Sequence, residues 1–290
     1  MTHAEAGPPA LWRVSVAGQT RLARGPVAGG PSDLLPHTSL DELLAPGGRT
    51  LVEVLAAPAG DPVPADASVL SPVGSQEVWA AGVTYARSRD ARMEESEDPD
   101  HYDRVYDAER PELFLKAAPG RAVGPGEPVG IRADSAWDVP EPELGVVADA
   151  SGDIVAYVLG NDMSSRSIEG DNPLYLPQAK IYTASCALGP CLVPVDEAPA
   201  LDEIRIDLDV GRDGRTVATG SVELTQLRRS PAELVGWLTR SLEFPIGVVL
   251  LTGTGIVPST GFTLQPDDVV TITGTGLGTL QNPVVRVGSR

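Results

Sequence analysis

Apolar residues fall in short alternating runs rather than long amphipathic stretches, so the chain reads as strand-rich. Leu11-Trp-Arg-Val-Ser-Val16 and Thr50-Leu-Val-Glu-Val-Leu55 have the composition of strands. Between them, Ser39-Leu-Asp-Glu-Leu-Leu44 opens like a short helix, with Ser and Glu spaced for a capping box. Residues 56–68, rich in Ala, Pro and Asp, read as a linker. Farther along, residues 78–85 and 112–116 are β-prone, and the charged run 88–110 reads as a mobile or helical surface segment. Residues 144–149 and 154–159 flank the turn sequence Ala150-Ser-Gly-Asp153, which predicts a hairpin. Residues 204–210 and 216–222 predict a second hairpin around Arg212-Asp-Gly-Arg215. Ser230-Pro-Ala-Glu233 starts a helix over about 231–242. Val248–Leu251 reads as a buried strand, and residues 269–273 and 284–287 close the chain as two more.

This order lacks the regular strand–helix alternation of a doubly wound fold. It predicts an α+β, mostly β architecture, a mixed β-roll or sandwich, without internal repeats. The linker divides it into a small N-terminal α/β domain, 1–72, and a larger strand-rich domain, 73–290.

Charge narrows the function classes. Forty Asp plus Glu against 22 Lys plus Arg give a net charge of −18, which excludes a typical nucleic-acid binder and disfavours anionic lipid. No run of apolar residues is long enough for a transmembrane helix, and the first residues lack a secretory pattern. Cys186 and Cys191 are too few for a disulfide framework and poorly spaced for zinc, so they read as small packing residues in a reducing cytoplasm. The three histidines, His3, His37 and His101, have no metal-ligand spacing. Arginine is abundant, yet Lys116 and Lys180 are the only lysines. An ammonium can lose its proton near neutral pH and a guanidinium cannot, so these two positions draw chemical interest.

The most informative segment is Trp137-Asp-Val-Pro-Glu-Pro-Glu-Leu144. Its prolines enforce extended backbone, which puts Glu141 and Glu143 on one face. If Asp149 faces Ile154 across the turn, the same register places Asp162 opposite Glu141. Three converging carboxylates require a cation. All-oxygen ligation selects a hard divalent ion, Mg²⁺ or Mn²⁺ ahead of Ca²⁺. A solvated acidic edge is the alternative for a lone Glu-x-Glu, and a one-residue slip in register would undo the convergence. Lys180 follows this hairpin and Lys116 precedes it; a lysine near a divalent ion can serve as a base or an oxyanion partner, and Lys180 is the stronger candidate. Leu251-Thr-Gly-Thr254 leaves a buried strand into a glycine turn, where Thr254 is placed to hold a carboxylate or simply to close the turn.

Taken together, Ala81-Gly-Val-Thr-Tyr85, Glu141-Pro-Glu143, Asn161-Asp-Met-Ser-Ser-Arg166, Lys180 and Leu251-Thr-Gly-Thr254 resemble the fumarylacetoacetate hydrolase superfamily over roughly residues 75–285. The resemblance implies a β-roll catalytic domain behind a small N-terminal domain, assembled as a homodimer or dimer of dimers. It implies Mg²⁺, with Mn²⁺ or Ca²⁺ as alternatives, on Glu141, Glu143 and Asp162, and an active-site lysine at Lys180. It also implies an arginine at Arg166 and a substrate-carboxylate threonine at Thr254. Hydrolase and decarboxylase members carry a lid His and Glu where this chain has Ser88 and Ala91, and many have Gln at the position of Glu169. Residues 82–89, 110–116 and 172–182 are similar to the sugar-acid dehydratase branch of the family.

That branch implies loss of water from a 2-keto-3-deoxy-pentonate of arabinonate or xylonate type, giving 2,5-dioxopentanoate. Lys180 is then the base, and Glu112 or a bound water the acid. Tyr85, Arg89, Arg166, Gln178 and Thr254 form the substrate-binding set, which Lys116 either joins or supports by pairing with a ligand carboxylate. The charged run 88–110 is the expected lid. The alternatives are a hydrolase or decarboxylase of acylpyruvate- or oxaloacetate-type acids, and a non-catalytic metal-binding protein on the same fold.

Overall fold

The hairpin that carries the acids lies at the centre of the molecule. The computed structural model describes residues 7–36, 38–58, 60–95, 100–259 and 261–288. His3 and His37 lie outside them.

The first strands are β1 (Pro9–Val16), β2 (Gln19–Pro26), β3 (Asp33–Leu34), β4 (Ser68–Val69), β5 (Glu77–Gly82) and β6 (Glu112–Ala117). Next come β7 (Val129–Arg132), β8 (Asp138–Val139), β9 (Pro142–Ala148), β10 (Ile154–Asp162), β11 (Ser164–Ser165) and β12 (Cys186–Pro194). The last are β13 (Arg205–Arg212), β14 (Arg215–Glu223), β15 (Val248–Leu251), β16 (Val269–Gly274) and β17 (Gly278–Val287). The helices are α1 (Leu40–Leu44), α2 (Leu51–Leu55), α3 (Ala86–Glu95), α4 (Asp100–Asp107), α5 (Arg166–Asp171), α6 (Leu176–Lys180) and α7 (Pro231–Leu238).

A ten-stranded sheet runs in the order β3-β2-β1-β12-β10-β9-β15-β5-β6, with β4 beside β1. A five-stranded sheet runs β14-β13-β16-β17-β7, and β8 pairs with β11. The mostly-β architecture read from the sequence is present. Both faces of the large sheet are covered. Leu144 and Val146 of β9 face a core shared with Ile206, Leu208 and Ile272 of the smaller sheet. Val147, the next residue along, faces a second core built with Leu43, Leu44, Leu51 and Val54 of α1 and α2. Burial on both faces explains why β9 beyond Glu143, residues 144–148, is one apolar run with no alternation. No helix among the described residues is long and apolar enough to cross a membrane.

Three local readings change. Residues 50–55 form a helix rather than a strand. Thr50 caps it by accepting from the Glu53 amide, the Glu53 carboxylate accepts from the Thr50 amide, and Leu51, Val54 and Leu55 become its buried face. Helix α7 ends at Leu238, where Thr239 caps the last turn. Strand β12 passes unread in the sequence because all nine of its residues are buried and include Gly189 and Pro190.

The hairpin register also holds a correction. Ile154 pairs with Ala148, not Asp149, and a bulge before Ala156 then puts Ala156 opposite Val147. The bulge restores the expected pairing over the rest of the hairpin, so Gly160 faces Glu143. At its end the Asp162 amide donates to the Glu141 carbonyl at 3.0 Å.

Candidate active site and metal centre

Each acid is presented by ordered backbone. Glu141 enters β9 from the extended Pro140–Pro142 segment, and its amide donates to Asn161 Oδ1 at 3.2 Å. Glu143 lies within β9, and Asp162 is the last residue of β10. The three are 4%, 1% and 1% exposed. One carboxylate oxygen from each lies within 4.8 Å of the others. Packed so closely away from water, they repel. Burial first, then the charges of Asp162 and Glu141, hold the Glu143 carboxyl well above the usual carboxylate range, against the opposing pull of Lys180 and the Gly253 amide.

Cations surround the acids. Lys180 ends α6 and is 2% exposed. Its ammonium donates to Glu141 Oε2 at 2.9 Å, Asp162 Oδ2 at 3.2 Å and Ser164 Oγ at 2.6 Å. Lys116, from β6, is completely buried and lies 2.5 Å from Asp162 Oδ1. That contact is an ion pair, and Lys116 also donates hydrogen bonds to the Met163 and Lys180 carbonyls. Arg166 begins α5, capped by Ser165, and its Nη2 lies 3.2 Å from Glu141 Oε1. The Gly253 amide donates to Glu143 Oε2 at 2.6 Å.

Glu141, Asp162 and Lys180 meet at a cavity of about 20 Å³, whose wall also includes Glu112 and Thr254, while Glu143, Lys116 and Arg166 stand behind it. That is room for roughly one water. Thr254 Oγ1 accepts from the Ile256 amide at 3.1 Å, so it also closes its own turn. Tyr85 is buried behind Gly255, where a Cβ would stand 2.9 Å from its ring. Arg89 and Gln178 are not among the cavity walls. Arg89 pairs with Asp90 and stacks over Tyr106, and the Gln178 carbonyl accepts from Arg132.

The wall also includes groups that sequence reasoning did not place there: Ser88, Phe114, Glu169 and the backbone of Gly82 and Gly253. Glu169 had a signal, since it follows Arg166 by one helical turn and shares its buried face. Ser88 donates to the Tyr85 carbonyl at 2.8 Å, and Ala91 is buried. Neither side chain can activate water as a His–Glu pair would. Burial pushes the Cys186 thiol up to about 12, in keeping with a packing role.

Three buried carboxylates of this kind fit a hard divalent cation, which would remove the repulsion that raises Glu143. The roll and its acidic triad place the chain among β-roll proteins with an all-oxygen metal centre. The chain belongs to the fumarylacetoacetate (FAA) hydrolase family, whose C-terminal domain model matches residues 77–285. It is 51% identical over 216 residues to a probable 2-keto-3-deoxyxylonate dehydratase of Haloferax volcanii, covering 74% of each chain. It is 43% identical over 223 residues to the 2-dehydro-3-deoxy-D-arabinonate dehydratase of Saccharolobus solfataricus, covering 76% of this chain and 75% of that one. A solved 2-keto-3-deoxy-D-arabinonate dehydratase, complexed with magnesium and 2,5-dioxopentanoate, superposes with a TM-score of 0.82 at 34% identity. That match covers 96% of this chain and 99% of the other.

Proposed function

We propose that this chain is a Mg²⁺-dependent hydro-lyase that converts a 2-keto-3-deoxy-pentonate to 2,5-dioxopentanoate. One observation carries the reading: the acidic triad and its lysine are assembled here, on the fold of a dehydratase solved with magnesium and that product. Glu141, Glu143 and Asp162 would hold the ion. Bound there, Mg²⁺ supplies Lewis acidity to the substrate's carboxylate and 2-keto oxygen, stabilising the charge that develops when C3 loses a proton.

The chain's own groups do the rest. Lys180 Nζ, held among Glu141, Asp162 and Ser164, gives up one proton and with it one of those three hydrogen bonds, and the lone pair so freed takes the C3 proton. Glu112 stands on the cavity wall and delivers a proton to the departing C4 hydroxyl, which leaves as water. The remaining allylic alcohol isomerises to the C5 aldehyde. Thr254 and Arg166 orient the substrate carboxylate, and Tyr85 shapes the wall behind them. Arg89 and Gln178 receive no substrate contact in this reading. The cavity is smaller than a pentonate, so the wall that α3 contributes through Ser88 must move to admit it.

The test is a Mg²⁺-dependent screen of stereoisomeric 2-keto-3-deoxy sugar acids, scoring aldehyde formation. Pyruvate- or oxaloacetate-type products from β-dicarbonyl acids, with no aldehyde from any sugar acid, would contradict the assignment. The same reading places the chain in the cytoplasm as a homodimer or dimer of dimers. Leu174 and Tyr175, exposed beside α6, offer apolar surface for that contact, and sedimentation checks it.

A further inference from the structure

We propose that Lys116 sets a preference for Mg²⁺ or Mn²⁺ over Ca²⁺ by restricting Asp162 to ligation through a single oxygen. The inference rests on reading the triad as a divalent-metal site. In each acid, one oxygen faces a cationic side chain or a backbone amide from outside the triad. Lys116 Nζ takes Asp162 Oδ1 at 2.5 Å, the Gly253 amide takes Glu143 Oε2 at 2.6 Å, and Arg166 Nη2 takes Glu141 Oε1 at 3.2 Å. The other oxygens of Glu141 and Asp162 converge, since Lys180 Nζ bridges Glu141 Oε2 and Asp162 Oδ2. Once Lys180 yields Glu141 Oε2 and Asp162 Oδ2, the arrangement offers an ion one oxygen per carboxylate.

That count discriminates between ions. Mg²⁺ takes six ligands at short distances, keeps waters, and is satisfied by single carboxylate oxygens. Ca²⁺ takes up to eight at longer distances and gains from a carboxylate that binds through both oxygens. Of the two side chains among these groups, Lys116 is the more deeply buried. It is 0% exposed, and its hydrogen bonds to the Met163 carbonyl at 2.9 Å and the Lys180 carbonyl at 2.5 Å keep it from following a rotating Asp162. Lys116 is thus a positioning residue, acting on the ion through Asp162.

The experiment is calorimetric titration of the full-length, chelator-stripped protein with MgCl₂ and with CaCl₂, for wild type and Lys116→Met. Both ions carry two charges, so the lost lysine charge moves both affinities together. Ligand count and site flexibility separate them, and a structure of Lys116→Met with Ca²⁺, showing Asp162 bound through one oxygen or two, tells the two apart. The expected result is a Mg²⁺:Ca²⁺ affinity ratio that falls on the order of tenfold in Lys116→Met. An unchanged ratio overturns the inference and leaves the metal site standing. Should the variant fail to fold, a crystal structure of the wild-type protein with Ca²⁺ decides. Asp162 bound through Oδ2 alone supports the role of Lys116, and a bidentate Asp162 overturns it. Absence of any divalent-ion binding by wild type would sink the proposed function together with this inference.

Discussion

Gly82 and Glu112 are partners across β5 and β6, and the pairing leaves no space for a side chain at position 82: a Cβ there would stand 2.0 Å from Glu112 Oε2. The glycine is therefore a seat for the carboxylate on the cavity wall. Gly82→Ala must push Glu112 away from the cavity. If Glu112 is the proton donor to the leaving hydroxyl, kcat should fall about a hundredfold or more. Divalent-ion binding, which does not use Glu112, should persist. A variant with wild-type kcat would remove Glu112 from the mechanism.

Glu143 and Lys180 should separate when mutated. Both Glu143→Gln and Lys180→Ala are expected to abolish turnover, the first by removing a metal ligand and the second by removing the base. Only Glu143→Gln should strongly weaken Mg²⁺ binding, since an amide offers the ion a neutral oxygen in place of an anionic one. Calorimetric titration of both variants checks this. Equal losses of Mg²⁺ affinity would contradict the division of roles.

The site was legible because its acids sit on a hairpin. Period two put Glu141 and Glu143 on one face, and the turn sequence Ala150–Asp153 supplied the register that brought Asp162 to them. Even there, the sequence concealed the bulge beside Val155. A turn one residue longer than expected and an extra residue in β10 cancel, so the pairing beyond them is unchanged. What stayed hidden depends on packing between distant segments. Strand β12 has no alternation because both of its faces are buried. Ser164 and Phe114 become part of the Lys180 environment only after α6 folds against β6 and β11. At residues 50–55, β-prone composition was overridden by a reciprocal cap between Thr50 and Glu53, each satisfying the other's amide.

That cap gives a stability prediction independent of catalysis. Thr50 Oγ1 accepts from the Glu53 amide at 3.2 Å, and the bond anchors a five-residue helix whose Leu51, Val54 and Leu55 pack on the large sheet. Thr50→Ala should cost about 1 kcal/mol of folding stability. It should leave kcat and Mg²⁺ affinity unchanged, because no residue of α2 reaches the cavity. Chemical denaturation with a parallel activity assay is the measurement. A loss of activity at unchanged stability would mean that α2 is coupled to the site.

The raised pKa of Glu143 gives opposite pH trends with and without the ion. Burial, reinforced by Asp162 and Glu141, makes the folded protein hold a proton on Glu143 at pH values where an unfolded glutamate has lost it. Its contribution to stability is fully present below the ordinary glutamate pKa and is lost as pH rises through the higher folded value. Metal-free protein should therefore become less stable from this group as pH climbs. A divalent ion needs the carboxylate ionised, so binding expels the proton, and the apparent affinity should rise by up to about tenfold per pH unit below the folded pKa. Thermal unfolding from about pH 5 to about pH 8, with and without MgCl₂, reads both trends. The Mg²⁺-induced rise in Tm should grow with pH. A rise of constant size across that range would mean that Glu143 is already ionised before the ion arrives, and that Lys180 and Gly253 outweigh its burial.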